Sequence, residues 1–206
     1  MNRQAAIAIA PEVTLLRGFA APTGPIVDAI GPIAARAPFR RLTTPGGGMM
    51  SVAMTNCGPW GWHSDARGYR YVARDPLSGD PWHPMPELFS RLATTAAARG
   101  GFPGFEPDAC LVNRYEPGAQ MGAHRDHDEL DMGHPIVSVS IGLPALFLWY
   151  GARRGGKPLA TLVEDGDVVV WGGSARAGYH GVRKLQAGEH PTTGALRYNL
   201  TFRRAK

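Results

Sequence analysis

Seven histidines are spread along a chain of 206 residues, and two of them sit in a pattern that suits metal chemistry. His124 and Asp126 are one residue apart in Ala123-His124-Arg125-Asp126-His127-Asp128. On an extended backbone, residues i and i+2 share a face, so an imidazole and a carboxylate would stand side by side. His180, further along the chain, is the third ligand chosen. Two imidazoles and one carboxylate on one face of an octahedron leave three positions open, which suits non-haem Fe(II) with a cosubstrate and O₂. His-x-Asp alone is a weak signal. A second copy, His63-Ser64-Asp65, lies in the Gly- and Trp-rich stretch Gly58 to Gly68 and reads as a loop with a structural or decoy role. Taken alone, the first copy also fits a solvated polar turn, because Arg125, His127, Asp128 and Glu129 crowd around it.

The C-terminal segment reverses that reading. From Leu196 to Arg203 the chain alternates strictly. Leu196, Tyr198, Leu200 and Phe202 face one side; Arg197, Asn199, Thr201 and Arg203 face the other. A period of two with one apolar face argues a strand packed on a core. If the polar row turns inward, two buried guanidinium groups need an anion, and a dicarboxylate pairs with them bidentately; a solvated face is the competing reading. The segment Ala109 to Tyr115 repeats the logic, with Asn113 and Tyr115 on one face as neutral hydrogen-bonding groups.

The elements that must hold these residues are mostly strands. Gly and Pro are abundant, 27 and 18 residues, and only 19% of residues are charged, a balance that fits a turn-rich β protein. Strands are expected at Val13–Leu16, Met49–Asn56, Cys110–Tyr115, Ile136–Gly142, Leu146–Tyr150, Leu159–Val163, Asp167–Trp171 and Leu196–Arg203. Thr23 could cap a helix from Gly24 to Arg36 that Gly31-Pro32 should weaken or bend. A second helix is expected over Glu87–Arg99, stopped by Gly100-Gly101. Pro38 to Gly48 and Gly58 to Gly68 read as loops. Many short strands between turn signals suggest a sandwich or jelly roll. The N-terminal half, residues 1–105, covers a β core at residues 106–206, in one integrated unit.

A net charge of +5 favours a polyanionic partner, nucleic acid before membrane. Cys57 and Cys110 are too few for a disulfide framework or zinc ribbon and read as reduced thiols of a cytoplasmic protein. No apolar run is long enough to span a bilayer. Nothing in the sequence demands a dimer, so a monomer is expected.

Asn113-Arg114-Tyr115, His124-x-Asp126-x-Asp128, Val170-Trp171-Gly172-Gly173, His180-Gly181 and Arg197-Tyr198-Asn199-Leu200-Thr201-Phe202-Arg203 together resemble the AlkB family of Fe(II)/2-oxoglutarate dioxygenases. The likeness runs from about Leu15 to Arg203 and includes Ser51 to Gly58 and Pro107 to Cys110. It implies a mainly β (α+β) fold, a double-stranded β-helix core with an N-terminal α/β nucleotide-recognition lid. By that resemblance His124, Asp126 and His180 hold iron. The 2-oxoglutarate segments are Asn113-Arg114-Tyr115 and Arg197-Tyr198-Asn199, with Arg203. Trp62, Tyr69, Arg70, Tyr71, Asp128 and Arg154 belong to the substrate side, with the damaged base stacked between Trp62 and His124. Departures from bacterial members fall in the lid: Gly48 where an aromatic stands, His127 for a lysine, and an altered Gln120 to Ala123.

The resemblance implies oxidative dealkylation of N1-methyladenine or N3-methylcytosine in DNA, coupled to decarboxylation of 2-oxoglutarate to succinate. A cationic lesion pairs poorly, so extruding it, or taking it from a single strand, costs less. Trp62 and Tyr69 offer π faces, and Asp128 complements the charge. Arg154 would touch phosphate. Two rivals remain. One is an RNA- or protein-directed hydroxylase on the same fold. The other is a non-catalytic jelly-roll module with structural zinc, which lacks a clear fourth ligand.

Overall fold

The computed structural model describes residues 6–206. The elements run β1 (Ala6–Ala10), β2 (Val13–Leu16), α1 (Gly24–Arg36), β3 (Arg40–Thr43), β4 (Met49–Cys57), β5 (Gly61–Asp65), β6 (Gly68–Val72) and α2 (Glu87–Arg99). There follow β7 (Ala109–Tyr115), β8 (Met121–His124), β9 (Ile136–Gly142), β10 (Ala145–Gly151), β11 (Leu159–Val163), β12 (Val168–Trp171), β13 (Tyr179–Val182) and β14 (Arg197–Arg203). An eight-stranded sheet in the order β1-β2-β12-β9-β14-β7-β4-β3 faces a four-stranded sheet, β11-β10-β13-β8. This is the expected jelly-roll core. Strands from before residue 106 extend the large sheet at both ends, where β2 pairs with β12 and β4 with β7.

The alternation of β14 decides which face of the large sheet is which. Leu200 and Phe202 are fully buried against the helices, with Phe89 of α2 edge-on to Phe202 at 6.1 Å. Each such ring contributes roughly 1.5–3 kcal/mol by burial. Arg197, Asn199, Thr201 and Arg203 point to the opposite side, between the two sheets, and all four are buried. The solvated-face reading of this row is therefore wrong. Beside the polar row lies a second apolar cluster, built on Tyr115, Phe147, Trp149, Val169 and Trp171.

Helix α1 runs through Pro32 without interruption, because Ile26, Ile30 and Ile33 bury one face in the core. Tertiary packing outweighs the bond that Pro32 cannot make. Thr23 donates its hydroxyl to Asp165 Oδ2 instead of capping the helix. The stretch Gly58 to Gly68, expected to be loop, is largely hairpin: β5 pairs with β6 as a separate two-stranded sheet. Gly68 takes φ +109°, open only to glycine without strain, and makes that turn possible. Strand β3 likewise replaces expected loop. Among the described residues no helix is long and apolar enough to cross a membrane.

Candidate metal centre and diacid pocket

Two adjacent strands of the small sheet bring the histidines together. His124 ends β8 and His180 lies in β13, directly opposite it in the register. Their rings are 4.3 Å apart. Asp126 follows β8 by two residues and swings its buried carboxylate to both. His124 Nε2 lies 3.9 Å from Asp126 Oδ1, and His180 Nε2 lies 3.8 Å from Oδ2. One donor atom from each residue falls within 4.8 Å of the others. Each imidazole also uses its Nδ1 in the same way: His124 toward Gly122 O at 2.9 Å, His180 toward Gly178 O at 3.1 Å. A carbonyl only accepts, so both Nδ1 atoms carry the proton and both Nε2 lone pairs face Asp126. That is the tautomer a metal needs.

Two buried arginines fix Asp126, one through its carboxylate and one through its backbone carbonyl. Arg203 donates from Nε and Nη2 to Asp126 Oδ2, at 3.1 and 2.9 Å. Arg176 donates to the Asp126 carbonyl at 2.9 Å and to His134 O at 2.8 Å. Both also meet Glu129: Arg176 Nη2 at 3.0 Å and Arg203 Nε at 3.4 Å. Burial alone would raise the Asp126 pKa, but the surrounding positive charges, Arg203 foremost, together outweigh it and hold the group below the usual carboxylate range. Burial lowers His180 to about 3, so its imidazole is neutral at ordinary pH.

At the far end of the same cavity the arrangement is different. Arg197 donates Nη2 to Ser140 Oγ at 3.0 Å and lies 5.0 Å over the Tyr115 ring. Its Nε and Nη1 are buried without a partner, as is Asn113 Oδ1. A buried guanidinium with two free donors is costly unless an anion meets it. A carboxylate fits here, since its oxygens can accept from the N–H groups left open on this guanidinium. Asn199 is spent on Ser138 Oγ, the Val139 carbonyl and Thr201, and forms the floor.

Not every expected residue faces this cavity. Arg114 and Tyr198 lie on the other side of the large sheet: the Arg114 guanidinium stacks 4.8 Å over Phe39, and Tyr198 packs on the same ring at 5.9 Å. Arg203 lines the cavity, but two of its donors are committed to Asp126. On the substrate side, Trp62 and Tyr69 stack at 5.5 Å and 17°, and Trp62 Nε1 donates to Asp128 Oδ2 at 2.8 Å. Arg70 is held by Asp65 within its own hairpin, at 2.7 and 2.8 Å. Tyr71 is buried and donates to Glu129 Oε1 at 2.7 Å. Arg154 is exposed on the loop after β10 and donates to Ala123 O at 3.1 Å. His63 and Asp65 pair at 3.6 Å, and among the described residues no third ligand joins them. Glu129 and Arg176 were not singled out from sequence. Glu129 stood in the polar turn after Asp126, while nothing marked Arg176.

Residues 12–203 match the family described as the 2OG-Fe(II) oxygenase superfamily. The chain is 51% identical over 198 residues to "Alpha-ketoglutarate-dependent dioxygenase AlkB" of Salmonella typhimurium, covering 96% of this chain and 92% of that one. The chain belongs to the AlkB family. The same-named protein of Escherichia coli is 50% identical with the same coverage. The solved structure "The structure of OsALKBH1" superposes with a TM-score of 0.85 at 27% identity, over 97% of this chain and 100% of that one. As a member of the AlkB family this protein is an Fe(II)/2-oxoglutarate-dependent dioxygenase. The donor set and the orphaned atoms of Arg197 and Asn113 fit the metal and the dicarboxylate that this chemistry uses.

Proposed function

We propose that this enzyme removes alkyl groups from the ring nitrogens of DNA bases, with N1-methyladenine and N3-methylcytosine as substrates, in a direct-reversal repair reaction. The observation that carries the reading is one cavity with a His-Asp-His cluster at one end and an unsatisfied guanidinium at the other, linked through Asp128 to a stacked Trp-Tyr pair. His124, Asp126 and His180 would hold iron, each imidazole through Nε2 and Asp126 through its carboxylate. Bound iron, with 2-oxoglutarate and O₂, supplies the oxidation that hydroxylates the alkyl carbon, after which the group leaves as an aldehyde beside succinate and CO₂.

The protein's own part is placement and exclusion of water. Arg197 takes the distal carboxylate of 2-oxoglutarate, with Asn113 and Tyr115 beside it. Arg203 keeps Asp126 Oδ2 occupied, which would leave Oδ1 for a metal. Trp62 and Tyr69 give the flipped or single-stranded base a π surface. The Asp128 carboxylate lies at the indole edge, where a cationic base gains most from it. Arg154 meets phosphate, in keeping with the net charge of +5. The enzyme acts as a monomer in the cytoplasm, where the free thiols of Cys57 and Cys110 stay reduced.

The test is mass spectrometry of methylated DNA and RNA oligonucleotides after incubation with iron, 2-oxoglutarate and ascorbate. The expected result is loss of one methyl mass from DNA, matched by one succinate. Demethylation of RNA alone would move the substrate class. Consumption of 2-oxoglutarate with no change in either oligonucleotide would overturn the reading.

A further inference from the structure

The hairpin β5–β6 carries Trp62 and Tyr69 but belongs to neither large sheet. A lone two-stranded hairpin is marginally stable in water, so its position depends on what anchors it. Strand β3 pairs with β4 only as far as Met54. Beyond that point the ladder gives way to an isolated bridge between Cys57 and His83, and the hairpin docks beside it by side chains. Ser64 Oγ donates to Thr43 O. Trp82 donates Nε1 to Val72 O and packs so tightly on Gly61 that a Cβ there would lie 2.3 Å from its ring.

The anchor at Trp62 itself is Asn56 of β4, which is 3% exposed. Trp62 N–H donates to Asn56 Oδ1 at 2.9 Å, and Asn56 Nδ2 donates to Trp62 O at 3.1 Å. An N–H only donates and a carbonyl only accepts, so this pair fixes which end of the amide is which. Every second residue of an antiparallel strand turns both backbone polar groups outward, and Asn56 meets both, as a partner strand would. The indole of the same residue is caught at its N–H by Asp128, two residues beyond the metal carboxylate.

We propose that Asn56 is a positioning residue for the substrate: it sets the height and tilt of the Trp62 indole before a base arrives. Preorganisation of this kind lowers the ordering cost of binding. The inference rests on the reading of Trp62 as the surface on which the base stacks. Asn56 touches neither base nor metal and acts only through Trp62.

The test replaces Asn56 with leucine, which keeps the size and loses both bonds, and with aspartate, which keeps the acceptor but sets a carboxylate against Trp62 O. Ser64→Ala is the control, since it frees another anchor of the same hairpin. The anaerobic Fe(II)/2-oxoglutarate charge-transfer band reports that each variant is folded; where leucine does not fold, aspartate is read by KM alone, because it keeps the acceptor of the Trp62 amide. Two readouts are taken. In Asn56→Leu, hydrogen exchange at the Trp62 amide rises about a hundredfold. For a methylated oligonucleotide, KM rises about tenfold with kcat within about threefold, while Ser64→Ala moves KM less than about twofold. An amide that stays protected, an unchanged KM, or an equal KM change in Ser64→Ala overturns the proposal. If the amide responds as expected but the unaltered enzyme binds neither methylated nor etheno-adenine oligonucleotides, it is the stacking of the base on Trp62 that fails, and the positioning of Trp62 by Asn56 stands.

Discussion

Arg197 and Arg203 lie on one face of β14, 2% and 5% exposed, and meet opposite circumstances. Arg203 sits between two carboxylates, Asp126 and Glu129, and Glu129 is shared with Arg176 and Tyr71. Arg197 has one hydroxyl, one aromatic ring and two donors with nothing to donate to. Burial costs both guanidinium groups their water. Only at Arg203 does the protein itself supply the compensation. A buried charge that is fully partnered holds structure in place, whereas one left open marks where a ligand of the opposite charge belongs.

The hardest way to break this contrast is through the candidate metal ligands beside Arg203. His124→Ala, Asp126→Ala and His180→Ala should each cut succinate release coupled to demethylation by about a thousandfold or more; normal turnover in any of them would remove the metal centre from the argument. Next come the arginines themselves, exchanged one at a time for methionine and compared by urea unfolding of the metal-free protein. Arg203→Met leaves two buried carboxylates facing each other and should cost about 3–5 kcal/mol. Arg197→Met removes an unsatisfied charge and should cost nothing, yet raise the 2-oxoglutarate concentration needed for half-maximal turnover about a hundredfold. Equal stability losses in the two variants would erase the distinction.

Acid should probe the metal end further. His180 titrates near 3 when folded, against 6.5 for an ordinary histidine. The unfolded chain therefore takes up this proton first, and protonation favours unfolding. Its contribution is complete above pH 6.5 and is lost as pH falls from there through about 3. His180→Gln should flatten the pH dependence of metal-free stability in that window. The smallest effect belongs to the far side of the sheet: Arg114→Ala and Tyr198→Phe should change the 2-oxoglutarate requirement by less than about twofold, because neither side chain reaches the cavity. A tenfold change in either would mean the two faces of β14 communicate.

Much of this was legible in the chain because strands write their faces at a period of two. Leu200 and Phe202 against Asn199 and Arg203 already separated the core face from a polar face, and the boundaries of α1 and α2 followed from their punctuation. The same rule, applied strictly, also tells Asn113 and Tyr115 from Arg114, and Asn199 from Tyr198; the family's contiguous motif blurred that distinction. What could not be read was long-range charge partnership. Arg203 meets Asp126 across 77 residues and Arg176 meets the Asp126 carbonyl across 50, and no local pattern announces either. The hairpin β5–β6 was misread for a different reason: its glycines signal turns, and its anchors, Asn56, Ser64 and Trp82, are side chains with no periodicity.

The position of β14 has a consequence for how the molecule comes into being. It is the last strand in the chain, yet it lies mid-sheet, with β9 on one side and β7 on the other. Residues as distant as Asn113 and Asn199 must meet before the sheet is continuous, and closing such long loops slows folding. On the ribosome, therefore, the diacid pocket is finished only after the chain through Arg203 has emerged. A nascent or prematurely ended chain that already carries His124, Asp126 and His180 lacks Arg197, and the pocket proposed for the cosubstrate does not yet exist.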